Sequence, residues 1–201
     1  MTQQFDVIII GSGLAGLSAA MHLAPTHRVA VITKNVLGDG SSAWAQGGIA
    51  AVMGEGDTFE SHIEDTLVAG AGLCDLAATQ LTIEGAPDAV RWLESQGVVF
   101  TQEEGHNHLT REGGHSERRI VHVTDATGAA VQKVLVKRVI ATPNITVFEQ
   151  HMLVDLITSK GIPVLVVTFV AMLELAKEGL INFVQAESYA PIYVTLTYTP
   201  A

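Results

Sequence analysis

The sequence predicts an α/β chain that begins with a Rossmann-like, dinucleotide-binding unit and ends in a short helix and a β-hairpin. Three observations carry this. The apolar run Phe5–Ile10 leads directly into Gly11-Ser12-Gly13-Leu14-Ala15-Gly16. A helical segment, Leu14–Leu23, follows and is broken at Pro25, and a second apolar run, Arg28–Thr33, completes a β-α-β unit. After Ser159-Lys160-Gly161 the alternation of strands and helices stops.

The glycines sit where a phosphate cradle needs them. Gly11 permits a tight turn out of the strand, Gly13 lets the backbone approach a pyrophosphate, and Gly16 lets the helix close on the strand. The helix start adds N–H groups and a partial positive charge, so Ser12, Leu14 and Ala15 belong to the same cradle. A carboxylate normally ends the second strand of an NAD site and grips the ribose. Here that place holds Thr33-Lys34. Two roles stay open for Lys34: a partner for ribose or phosphate, or a solvated strand end.

Further along, Gly38–Gly56 is a Gly, Ser and Ala-rich loop of the kind that often carries function. Asp57–Val68 has apolar residues at helical spacing. Asp75–Gln96 reads as helix with a break near Gly85-Ala86-Pro87, and Val98–Phe100 as a short strand. Thr101–Glu117 is polar, Arg119–Val123 reads as a strand, Thr124–Ile140 as a helix capped by Thr124 or Asp125, and Ile145–Phe148 as another strand. The tail reads as a helix over Val164–Lys177 and a hairpin of Leu180–Gln185 and Ile192–Thr197 with Pro191 at the turn.

Bulk properties narrow the function. The 201 residues carry a formal net charge of −10, and Arg118-Arg119 is the only basic cluster, which argues against nucleic acid as partner. A single cysteine, Cys74, excludes an internal disulfide framework and fits a reducing, cytoplasmic setting. No signal peptide is evident, and the run Ile162–Leu173 is shorter than the roughly 20 residues of a membrane span. His62, His106, His108 and His122 have no metal-ligand spacing, so no metal is expected.

The segment Gly40–Ala51, with Ser41, Ser42, Ala43, Trp44, Ala45, Gln46, Gly47 and Gly48, resembles the flavin-contacting segment of the succinate dehydrogenase/fumarate reductase flavoprotein family, in its L-aspartate oxidase branch. Ser61–Asp75, His108–Ser116 and Arg119–Gly128 are similar to further stretches of that family, in the same order. The resemblance spans residues 3 to 158. It implies an FAD-binding domain over 1–158 and flavin contacts from Ser12 to Ala15, Lys34 and Ser41 to Gly48. Because no histidine stands near Ser41, it implies noncovalent FAD.

The resemblance also implies a substrate loop. L-Aspartate would give a hydride from Cα and leave iminoaspartate, the first step of quinolinate and NAD synthesis, with oxygen or fumarate as electron acceptor. Its ammonium needs an acceptor, and Glu112 is the candidate. Arg111 is expected to hold Glu112 or a substrate carboxylate, and His115 and Ser116 to add hydrogen bonds near the flavin. By spacing alone Arg111 and Glu112 read as a surface ion pair on a polar loop, and the family motif around them reverses that reading. Family members also carry a later catalytic arginine, whereas no arginine follows Arg138 here. The chain by itself is therefore expected to turn over L-aspartate poorly.

The tail, 159–201, resembles a different family, the C-terminal winged helix of the kleisin segregation and condensation proteins. That resemblance implies a condensin-type ATPase head as partner. A helix and hairpin packed on the flavin domain is the alternative.

Overall fold

The computed structural model describes residues 3–124 and 126–153, together with the backbone of two strands at 181–185 and 192–196. The chain divides into two compact units, residues 1–39 with 139–201, and residues 40–138.

In the first unit three parallel strands, β1 (Val7–Ile10), β2 (Val29–Ile32) and β8 (Ile145–Phe148), lie in the order β1-β2-β8. Val7 pairs with Val29 and Val29 with Ile145, in unbroken register to Ile10, Ile32 and Phe148. All three strands stand where the sequence puts them. The central strand is the most buried, with Val29 and Val31 fully enclosed, while Ile8 on the edge strand is half exposed. Helix α1 (Leu14–Leu23) buries Leu17 and Ala20, and Ala24 closes it on the carbonyl of Ala20 before Pro25. At the strand entrances the exposed carboxylate of Asp6 accepts the Arg28 backbone N–H at 2.8 Å and its guanidinium at 3.3 Å.

The second unit is built on helices α2 (Phe59–Ala69) and α3 (Leu76–Gln96). Thr58 caps α2 by accepting the Ser61 N–H, and Asp75 caps α3 by accepting that of Ala78. The expected break at Gly85-Ala86-Pro87 does not occur: α3 runs for 21 residues through Pro87 and stops at Gly97, φ +108°. Proline removes one bond to the preceding turn, but Thr79, Ile83, Pro87 and Val90 form one buried stripe. Burial along that stripe outweighs the missing bond.

A small antiparallel sheet has the order β3-β7-β6, from β3 (Ile49–Ala50), β7 (Ile120–Val121) and β6 (Leu109–Thr110). A further pair, β4 (Gln102–Glu103) and β5 (His106–Asn107), lies within the stretch read as polar loop. The strand expected over Arg119–Val123 is thus reduced to two residues. Val98–Phe100 joins no ladder: Val98 and Phe100 are buried and Val99 exposed, so the segment alternates like a strand without a strand partner. Helix α4 (Thr127–Ala141) starts later than expected. Thr127, not Thr124, makes the starting contact, its hydroxyl accepting the Val123 N–H at 2.9 Å. Asp125, the other expected cap, lies outside the described residues.

Strands β9 (Ile181–Gln185) and β10 (Ile192–Leu196) pair antiparallel, Ile181 opposite Leu196, within a residue of the expected hairpin. The expected helix Val164–Lys177, the boundary near 159 and the turn at Pro191 lie outside the described residues. Among the described residues no helix is long and apolar enough to cross a membrane.

Candidate functional site

In the first unit, β1 ends on Gly11, whose N–H bonds the carbonyl of Ile32 at 2.8 Å and whose φ is +104°. The left-handed conformation favours glycine, and among the described residues a Cβ there would meet nothing within 4 Å. Gly16 is required for a different reason: a Cβ on it would collide with the carbonyl oxygen of Gly11. Gly13, in extended conformation, precedes α1, and no side chain caps the helix. Buried Ser12 donates to Thr33 Oγ1 at 2.8 Å, tying the glycine turn to the end of β2, where Lys34 is exposed. A left-handed glycine turn, a glycine before the helix and a close helix-strand contact are the features a dinucleotide phosphate needs.

In the second unit, Ser41–Trp44 form a 3-10 turn, and Trp44 to Gly48 are exposed, Trp44 by 81%. Two glycines fix this segment. A Cβ on Gly48 would strike Ile120, so Gly48 serves packing against β7. A Cβ on Gly128 would strike the Ser42 carbonyl, while the Gly128 N–H bonds the Ala45 carbonyl at 3.0 Å. The start of α4 is thereby seated against the 3-10 turn. Gly128 has no place in the site as read from sequence, because nothing local to it signals the contact.

The substrate loop is one tight turn. His115 N–H bonds the Glu112 carbonyl at 3.3 Å across Gly113-Gly114, with Gly114 at φ +84°. The exposed Glu112 side chain reaches toward the flavin-type segment: its Oε1 lies 4.0 Å from the position of a Cβ on Gly47. The structure therefore brings Glu112, His115 and Gly47 together. Arg111 and Glu112 make no ion pair. Arg111 donates to the Ser116 carbonyl at 3.3 Å and lines a surface cleft of about 650 Å³ with Thr110, Ser116, Glu117 and Arg118.

Behind the turn lies a buried ionic cluster absent from the residues singled out in the sequence. Arg119 is fully enclosed. It donates to Asp57 through Nε (3.0 Å) and Nη2 (2.8 Å), to Asp65 Oδ2 through Nη1 (2.8 Å), and to Ser61 Oγ (3.1 Å). Asp65 Oδ2 also accepts the Ser116 N–H at 2.7 Å and its hydroxyl at 2.8 Å. These bonds, that of the Ser116 backbone first, hold the Asp65 carboxyl below the usual carboxylate range. His62, 4% exposed on α2, packs edge-to-face on His115 with ring centres 5.5 Å apart. Burial, then the Arg119 guanidinium and His115, push His62 below the ordinary imidazole value. Nδ1 of both histidines is buried without a hydrogen-bond partner. The sequence signal was slight: a charged residue next to Ile-Val in a short apolar strand.

A protein-family description, "FAD binding domain", matches residues 6–188. The chain belongs to this FAD-binding family. FAD is accordingly its cofactor, and the glycine turn of the first unit fits the phosphates. The chain is 54% identical over 164 residues to "L-aspartate oxidase 1" of Ralstonia nicotianae, covering 79% of this chain and 31% of that protein. It is 52% identical over 170 residues to "L-aspartate oxidase" of Pseudomonas aeruginosa, covering 80% and 32%. Among solved structures it is similar to Sdh1 of Mycobacterium smegmatis, with TM-score 0.76, 31% identity, and coverage of 79% and 29%. It is also similar to FrdA of E. coli quinol fumarate reductase, with TM-score 0.76, 30% identity, and coverage of 80% and 28%. The chain spans about a third of the length of the curated relatives it matches.

Proposed function

We propose that this chain is the FAD-binding portion of a flavoprotein that oxidises L-aspartate to iminoaspartate, the entry step of quinolinate and NAD synthesis, with oxygen or fumarate as acceptor. The observation that carries it is the place of Glu112, an exposed carboxylate at one end of a tight turn and directed at Gly47. That geometry suits an ammonium acceptor beside a flavin, and the relatives named above are L-aspartate oxidases. FAD, when bound, supplies the two-electron acceptor for the Cα–H bond. Gly11, Ser12, Gly13, Leu14, Ala15, Gly16 and Lys34 would hold its phosphates and ribose, and Ser41 to Gly48 its ring, noncovalently.

This chain's own groups then do two things. Glu112 accepts hydrogen bonds from the substrate ammonium and so favours an amino acid over succinate. The His115 end of the same turn adds a polar wall held by His62. Arg111 faces the cleft it shares with Arg118, which gives it a role toward a carboxylate rather than toward Glu112.

The test is an absorbance titration of the FAD-loaded chain. L-Aspartate should perturb the flavin band more strongly than succinate, and Glu112→Gln should abolish that preference. Equal responses to both ligands in the unsubstituted chain would overturn the reading.

We propose separately that residues 159–201 form a piece of different origin, of winged-helix type, that engages a condensin-type ATPase head. Its support is the resemblance together with the antiparallel pairing of Ile181–Gln185 with Ile192–Leu196. Failure of such a head to retain the chain in a pull-down would remove this reading.

A further inference from the structure

We propose that Asp65 is a positioning residue for the Glu112–His115 turn, acting through Ser116. The inference rests on the reading of that turn as the substrate-binding element. Its origin is charge balance. Arg119 is one buried cation facing two carboxylates. Asp57 takes the two-pronged face of the guanidinium, which leaves Asp65 a single Nη1 bond. The remaining negative charge on Asp65 is met by the Ser116 N–H and hydroxyl, both on Oδ2.

Ser116 is exposed; the Asp65 carboxylate holds both its N–H and its hydroxyl, and Ser61 Oγ lies 3.1 Å from that hydroxyl. One residue before it, His115 closes the turn on Glu112 and packs on His62 from the same helix as Asp65. Two residues one turn apart on α2, His62 and Asp65, thus grip consecutive residues of the loop. If the loop lifts, Asp65 loses two of its three donors while Arg119 stays committed to Asp57. The docked turn is the arrangement in which all the charges are answered, and it fixes where the Glu112 carboxylate stands.

The test uses the full chain loaded with FAD and compares Asp65→Asn, Ser116→Ala and the double substitution. Hydrogen exchange over residues 112–117 should quicken about tenfold in Asp65→Asn, less in Ser116→Ala, which keeps the backbone N–H bond, and in the double no further than in Asp65→Asn. Peptides over residues 7–23 and FAD retention should be unchanged, and L-aspartate should bind about tenfold more weakly. Unchanged exchange at 112–117, additive effects in the double, or faster exchange throughout 7–23 would overturn the proposal. Ser116→Ala removes one exposed hydroxyl with its bonds to Asp65 and Ser61 and leaves the Arg119–Asp57 pair intact, so it remains decisive even if Asp65→Asn fails to fold. A chain that shows the expected exchange pattern but no response to L-aspartate would sink the substrate reading alone.

Discussion

Arg119 and Asp57 meet in a two-pronged pair, Nε to Oδ2 at 3.0 Å and Nη2 to Oδ1 at 2.8 Å, with side chains 0 and 2% exposed. Removing Asp57 strips the buried guanidinium of its two-pronged partner, leaving Nε without its acceptor and the single Nη1 bond to Asp65 as the only ion pair left to it in this cluster. Asp57→Ala should therefore cost about 3–5 kcal/mol of stability, read as a lowered midpoint in urea. A loss below about 1 kcal/mol, the range of an exposed pair, would show that water reaches the site.

The phosphate turn gives a graded prediction. Gly16→Ala sets a methyl against the Gly11 carbonyl, backbone against backbone. Gly11→Ala meets nothing within 4 Å among the described residues but must hold φ +104°, a strain of about 1–2 kcal/mol. Gly16→Ala should abolish FAD retention on gel filtration, whereas Gly11→Ala should weaken it. The reverse order would contradict the geometry.

Gly128→Ala tests the seating of the flavin-type segment. The added methyl would strike the Ser42 carbonyl and crowd Ala45, displacing the 3-10 turn while leaving the glycine turn of β1 intact. FAD affinity, followed by fluorescence, should fall at least tenfold. Unchanged affinity would mean that Ser41–Trp44 does not contact the cofactor.

Acid should weaken the fold in two steps. His62 is held below its ordinary value of 6.5, so the unfolded chain takes up its proton first and stability falls as pH drops below about 6.5. Asp65 is held below 3.8, so its contribution is present above that value and is lost as pH falls further. Thermal midpoints from pH 8 to 5 should show the first step. His62→Phe, which keeps an aromatic ring against His115, should flatten it.

The parallel sheet and α1 were legible because their information is local: three apolar runs, a glycine turn and a proline stop. Their positions in the structure differ from the sequence reading by no more than two residues at an end. The helix break at Pro87 was misread because the residues that hold α3 together recur across the whole helix, not around the proline. Val98–Phe100 has the alternation of a strand and still lacks a ladder, since a strand is completed by a neighbour that its own residues do not specify.

The same division runs through the site. Sequence alone determined the glycine turn, because its chemistry is written in consecutive residues, whereas Glu112 and His115 were singled out through the family resemblance of the His108–Ser116 stretch. It also offered Arg111 and Glu112 as a pair, whose side chains meet different groups, Arg111 the Ser116 carbonyl and Glu112 the Gly47 segment. Only the tertiary structure decided that Asp57, Asp65 and Arg119 converge, across 62 and 54 residues of chain, to hold the turn from behind. A buried guanidinium gathers its counter-charges through space, and no spacing in the sequence records which carboxylates will answer it.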